Sequence, residues 1–158
     1  RRIGLLIDET QWSTGAGRLA GYRAAHAAAG VPVDDALVAY TSFDAAAAGE
    51  RTDRLLTERP DLTAVFAANN VLAQGAFDRL RSRGLRIPRD VSLVAYDDVP
   101  WMSMVSPAVT TVSQHTFEMG QRCAALLLDR MADGGRSRTV RVAATLLARE
   151  STGPAPGL

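Results

Sequence analysis

A chain of 158 residues is long enough for one domain with a real core, and 47% hydrophobic against 22% charged residues is an ordinary globular composition. Its 18 basic and 17 acidic residues leave a net charge of +1, which provides no electrostatic footprint for nucleic acid; a DNA role would have to come from elsewhere in a larger protein. The single cysteine, Cys123, excludes an intramolecular disulfide framework and a cysteine-rich zinc site and fits a reducing compartment, while no apolar run approaches the roughly 18 residues of a membrane span.

The first predicted element is a strand over Ile3–Ile7, entered directly with no apolar leader or cleavage signal, a beginning expected of a fragment from a longer chain. Further strands are predicted at Leu37–Tyr40, Ala64–Ala67 and Leu93–Tyr96, with helices between them at about residues 15–29, 45–58 and 71–83. Each helix has a stop signal: Gly30 ahead of Pro32, Arg59-Pro60, and Gly84 followed by Pro88. Short apolar runs such as Leu5-Leu6-Ile7 suit strands covered on both faces. Their alternation with helices predicts right-handed βαβ units and an α/β fold with a doubly wound parallel sheet. Residues 99–116, VPWMSMVSPAVTTVSQHT, break the rhythm and read as a long apolar loop. A helix over Phe117–Ala132 follows, striped by Phe117, Ala124, Leu127, Leu128 and Met131 and ended by Asp133-Gly134-Gly135. A last strand is predicted at Val142–Leu147, and STGPAPGL from residue 151 reads as a frayed tail.

Within WSTGAGRLAGYRA, the stretch G-A-G-R-L-A matches the dinucleotide fingerprint. A phosphate loop, however, needs its first glycine directly off the strand and an acidic residue closing the next one. Here DETQWST intervenes, and Asp34 and Asp35 precede the second strand. Gly15 and Gly17 are therefore expected to let a helix begin close to neighbouring backbone. A nucleotide-dependent enzyme is the weakest reading of this loop.

Open α/β sheets bind ligands at the C-terminal ends of their strands. Trp12 and Thr14 lie there, just before the first helix, and Arg18 follows one turn in, where the bland alternative is a solvated helix arginine. In AANNVLAQ, Asn70 is the expected helix N-cap, leaving Asn69 at the strand tip with a free amide. In SLVAYDDVP, Asp97 is the functional candidate and Asp98 a turn residue; no further carboxylates gather to hold a hard cation. There is no G-x-S-x-G or H-E-x-x-H motif, His26 and His115 lack catalytic spacing, and Cys123 reads as a small core hydrophobe. No catalytic residue, metal or cofactor is predicted, and the chain is read as a binding protein, not an enzyme. Trp12, Thr14, Arg18, Phe43, Asn69, Asp97 and Gln114 combine a donor fork, an acceptor, amides and aromatic faces. That mixture suits a small polyhydroxylated or heterocyclic ligand in a mostly preformed pocket.

Taken in order, these segments resemble the LacI/GalR (lactose-repressor type) transcriptional regulators. RRIGLL is similar to the strand opening that family's C-terminal subdomain, and STGAGRLAGYRAA to its R-L-x-G-Y/F segment. AVFAANNVLAQGAFDRLRSRGLRIPRDVSLVAYDDVP resembles A-N-D-x-x-A-x-G-A followed by G-x-x-V-P-x-D-V-S-V-V-G-F/Y-D-D; SPAVTTVSQ resembles P-x-L-T-T-V-x-Q, and ARES the closing R-E-S. Asn70 departs from the family's aspartate and Ala95 from its glycine.

The resemblance implies two α/β subdomains like those of a periplasmic sugar-binding protein, crossed by three strands of chain, with a separate N-terminal helix-turn-helix. Residues 1–112 would be the C-terminal subdomain of the effector-binding domain, 113–135 a crossover and a helix that packs on the other subdomain, 136–150 a returning strand and 151–158 a flexible tail. That helix is expected to expose its apolar stripe here, and to fold back, swap with a second copy or be mobile. Effector contacts are implied at Thr14, Arg18, Phe43, Asn69, Asp97 and Gln114, with Trp12 at a variable, specificity-setting position. The implied protein is a cytoplasmic homodimer that senses a sugar-like or nucleoside-like effector in an interlobe cleft. It would bind operator DNA through the missing helix-turn-helix, with no membrane role and no cofactor. A periplasmic-type solute (sugar) binding protein is the alternative.

Overall fold

Leu5, Leu6 and Ile7 are fully buried, and this run is the centre of the fold. The computed structural model describes residues 2–8, 12–133 and 137–154. Strands β1 (Ile3–Ile7), β2 (Val38–Tyr40), β3 (Ala64–Ala67), β4 (Ser92–Tyr96) and β5 (Thr110–Ser113) run parallel, and β6 (Thr145–Leu147) joins antiparallel, in the order β2-β1-β3-β4-β5-β6. Strand alternation sends Leu6 to one face of the sheet and Leu5 and Ile7 to the other. On Leu6's face pack helices α2 (Ala45–Glu58) and α3 (Asn70–Ser82), whose Leu55, Leu72, Phe77 and Leu80 share a core with Val65 and Leu93. Helix α1 (Ser13–Ala28) lies on the opposite face, where Tyr22 packs with Leu5, Ile7 and Val38. The predicted stops hold: Gly30 and Gly84 follow α1 and α3 at φ of 65° and 72°, a region open to glycine at little cost.

Residues 99–116 are more ordered than a loop. They form a short helix, α4 (Trp101–Met104), and the strand β5. Two of β5's four residues are threonines, so its sequence lacks an apolar run; its order comes from chain far away in sequence. Thr110 N donates to Ser151 Oγ at 2.7 Å, and Arg149 N donates to Thr110 Oγ1 at 2.9 Å. Ser151 is fully buried, and its hydroxyl also donates to Leu93 O at 2.6 Å. The expected frayed tail therefore does not begin at residue 151; residues 155–158 lie outside the described part.

The last strand is shorter than predicted, because pairing ends where β5 ends. Ser113 opposes Thr145, and beyond it the chain turns away through His115 at φ 52°. His115 Nε2 lies 2.8 Å from Thr145 Oγ1 across that turn. Helix α5 (Thr116–Asp133) follows with its stripe uncovered: Phe117, Leu127, Leu128 and Met131 are each more than 60% exposed. It does not fold back onto the sheet. Cys123, expected in a core, is exposed on this helix.

Candidate functional site

The strand order converts scattered sequence positions into a row. Reading across the C-terminal edge of the parallel sheet, β2 leads to Phe43, β1 to Trp12, Thr14 and Arg18, β3 to Asn69, β4 to Asp97 and β5 to Gln114. The chain leaves β1 for β2 on one side and then returns past it to β3, so β1 and β3 flank a topological switch point, where a crevice forms outside the strand ends.

A cavity of about 740 Å³ lies between α1 and the sheet. Thr14, Arg18, Tyr96 and Gln114 line its mouth at the C-terminal edge. Farther in, Phe66, Val94 and Val112 make apolar walls, and Ile3 marks the opposite edge of the sheet. Gly17 faces open space, with nothing within 4 Å of where a Cβ would stand, so it widens this cavity. The close backbone approach expected of it is absent.

At the mouth, Arg18 is half-buried and its guanidinium carbon sits 4.1 Å from the centre of the Tyr96 ring. It is no solvated helix arginine. Asp97 has φ 73°, a left-handed conformation that aspartate tolerates better than most residues, held because its N–H still continues the ladder to Val112 O at 3.0 Å. Gln114 Nε2 donates to Asp97 Oδ1, joining the tips of β4 and β5. That leaves an Asp97 oxygen and the Gln114 carbonyl as further acceptors.

Asn69 departs from expectation in a useful way. It, not Asn70, is the N-cap of α3: its Oδ1 accepts from Leu72 N at 2.9 Å. Because the cap needs the oxygen, the amide nitrogen faces elsewhere. Asn69 is 3% exposed, and its Nδ2 is a buried donor with no partner among the described residues. Such orphans are rare in native structures and call for an explanation. Of the seven predicted site residues only Thr14, Arg18 and Gln114 line the cavity; Asn69 and Asp97 lie on the strand edge outside it, and Trp12 and Phe43 stay exposed at 66% and 62%.

Tyr96, Asp98 and Arg149 have structural roles here that their local sequence does not show. Tyr96 is predicted only as the end of a strand, yet its ring lies beneath the Arg18 guanidinium. Asp98, read as a turn residue, makes a two-pronged ion pair with Arg149 at 2.7 and 3.0 Å and accepts from Thr111 Oγ1 at 3.0 Å. The Arg149 guanidinium, with the Thr111 hydroxyl, holds the Asp98 carboxyl below the usual carboxylate range against the opposing effect of its burial. This pair ties the returning chain to the strand bearing Asp97. Among the described residues, no group of three or more His, Cys, Asp or Glu could hold a metal ion.

Residues 1–152 match the family model described as the periplasmic binding protein-like domain. The chain is 39% identical over 155 residues to the HTH-type transcriptional regulator CelR of Thermobifida fusca, covering 96% of this chain and 45% of that protein. It is 32% identical over 157 residues to the HTH-type transcriptional repressor PurR of Klebsiella pneumoniae, covering 99% of this chain and 46% of that one. A solved structure of a transcriptional regulator CelR–cellobiose complex superposes with a TM-score of 0.86 at 38% identity, over 96% of this chain and 46% of that one. The chain thus spans about half the length of the curated relatives it matches. With sheet order, motifs and comparisons in agreement, the chain belongs to the periplasmic binding protein-like domain family, in the form found in LacI-type regulators.

Proposed function

We propose that this chain senses a small neutral polyhydroxylated ligand, a sugar in the first instance, at the C-terminal edge of its sheet, as the effector-binding part of a transcriptional regulator. The observation that carries the reading is the buried, unpartnered Nδ2 of Asn69 at the same strand edge as the Arg18 fork and the Asp97–Gln114 acceptors. Donors on the β1 and β3 side and acceptors on the β4 and β5 side match vicinal hydroxyls, which both give and take hydrogen bonds. Trp12, Thr14 and Phe43 complete the proposed contact set, the two aromatics offering flat apolar faces to a sugar ring. The cellobiose held by the CelR-type neighbour supports a sugar, and the exposed Trp12 ring, on which a flat heterocycle could stack, keeps a nucleobase or nucleoside as the second class to test.

The longer protein would bind operator DNA as a cytoplasmic homodimer through a helix-turn-helix segment outside these residues. Ligand would shift the DNA equilibrium only by its differential affinity for the two states. No catalytic step is assigned to any residue of the row. Thermal unfolding with cellobiose, ribose and a purine base tests the reading. A ligand present at 100 times its Kd stabilises by about 2.7 kcal/mol, roughly 5–10 °C for a domain of this size. The reading expects such a shift with a sugar; a shift with the purine alone moves the assignment to the second class, and no shift with any of the three contradicts it.

A further inference from the structure

Arg18 stands on α1 above β1, yet its guanidinium lies over a ring on β4, two places along the sheet. We infer that Tyr96 is the positioning residue of the binding site: its ring carries the Arg18 guanidinium across the sheet edge and holds it at the cavity mouth without using its donors. The inference deepens the sugar reading and rests on it for the choice of probe.

The chemistry of the contact matters. A carboxylate partner would fix an arginine by occupying its in-plane N–H groups, the same groups a neutral hydroxylated ligand must use. An aromatic face instead attracts the flat face of the guanidinium through its quadrupole and leaves the in-plane fork open. Tyr96 is well placed for this. It is the last residue of β4, half-buried, on the same sheet face as Val94, and both line the cavity beneath α1. Its register partner Val112 stands beside it on β5, and Asp97 follows at once. The ring therefore cannot move far without disturbing the ladder that places Asp97 and Gln114.

Two measurements test this on the intact protein. The first needs no ligand: NMR of the arginine Nε–Hε groups. Ring current from Tyr96 should place the Arg18 signal upfield of the other arginines. Tyr96→Phe should keep it there and Tyr96→Leu should return it to the ordinary range. An Arg18 signal that is unshifted in wild type, or unmoved by Tyr96→Leu, overturns the proposal whatever the ligand.

The second is calorimetry with cellobiose on the variants. Tyr96→Phe should bind within about 2-fold of wild type and Tyr96→Leu about 3- to 30-fold more weakly. In an Arg18→Ala background, Tyr96→Leu should cost nothing further. A merely structural role would give a loss that persists in that background, and this outcome overturns the proposal. Wild type failing to bind cellobiose counts against the sugar reading alone, since the NMR result still decides the role of Tyr96.

Discussion

Asn69 does two jobs with one amide, and separating them is a sharp test of the site. Its Oδ1 caps α3 through Leu72 N at 2.9 Å, an interaction whose loss costs about 1 kcal/mol. Its Nδ2 is buried without a partner, which costs the unliganded protein about 1–3 kcal/mol of desolvation. A ligand oxygen that accepts from Nδ2 recovers that amount on binding. Asn69→Ser keeps a capping oxygen and deletes the orphan donor. In the unliganded protein the recovered desolvation offsets the small cavity left behind, so denaturant unfolding should show a change within about 1 kcal/mol. Ligand affinity should fall by about 1–3 kcal/mol, roughly 5- to 150-fold by calorimetry, and the ligand-induced rise in Tm should shrink accordingly. The opposite pattern, a variant several kcal/mol less stable that binds as tightly as wild type, would refute the reasoning and make Asn69 a structural residue only.

A Cβ at Gly75 would collide with the carbonyl oxygen of Ala45 and lie 2.8 Å from Gly49 N and 2.9 Å from the Ala48 side chain. Two of these are backbone atoms that cannot turn aside, so Gly75→Ala should force α2 and α3 apart and cost about 1–3 kcal/mol in urea unfolding. Gly21, with nothing within 4 Å, is the control: Gly21→Ala should be neutral or stabilise by about 0.5–1 kcal/mol. The Asp98–Arg149 pair sets an acid limit. The Asp98 carboxyl is held low in the folded state, so its stabilisation is complete above the unfolded value near 3.9 and is lost as pH falls through the lower folded value. Asp98→Asn should cost about 1–2 kcal/mol at pH 7, and the gap to wild type should close below about pH 4; a gap independent of pH would show that the charge is not what stabilises.

Local patterns carried most of the fold. Leu5-Leu6-Ile7 and the strand at Ala64–Ala67 announce parallel strands by being apolar throughout, and Gly30 and Gly84 mark the ends of α1 and α3. β5 was not legible, because Thr110 is buried against Arg149 and Ser151, some forty residues away, and Thr111 against Asp98 on the preceding loop. The same holds for Ser151, whose polar sequence context hides a fully buried hydroxyl. At the site, position relative to a strand end was enough to nominate Arg18, Asn69, Asp97 and Gln114. It could not say that Asn69 would take the cap from Asn70, since both are good capping residues and the choice depends on where β3 stops by a single residue. Nor could it reveal Tyr96 beneath Arg18, a contact between α1 and β4 that exists only because β1 and β4 are separated by one strand.

The central claim is that the polar row at the C-terminal edge is where the ligand binds, and Arg18 is its most exposed consequence. Calorimetry of wild type and Arg18→Ala, using whichever of cellobiose and ribose gives the larger thermal shift, tests it directly. Removing the charge-assisted hydrogen bond should weaken binding by about 1.5–3 kcal/mol, roughly 10- to 150-fold, with the fold intact. Equal affinity for the two proteins would contradict the account and place the ligand elsewhere.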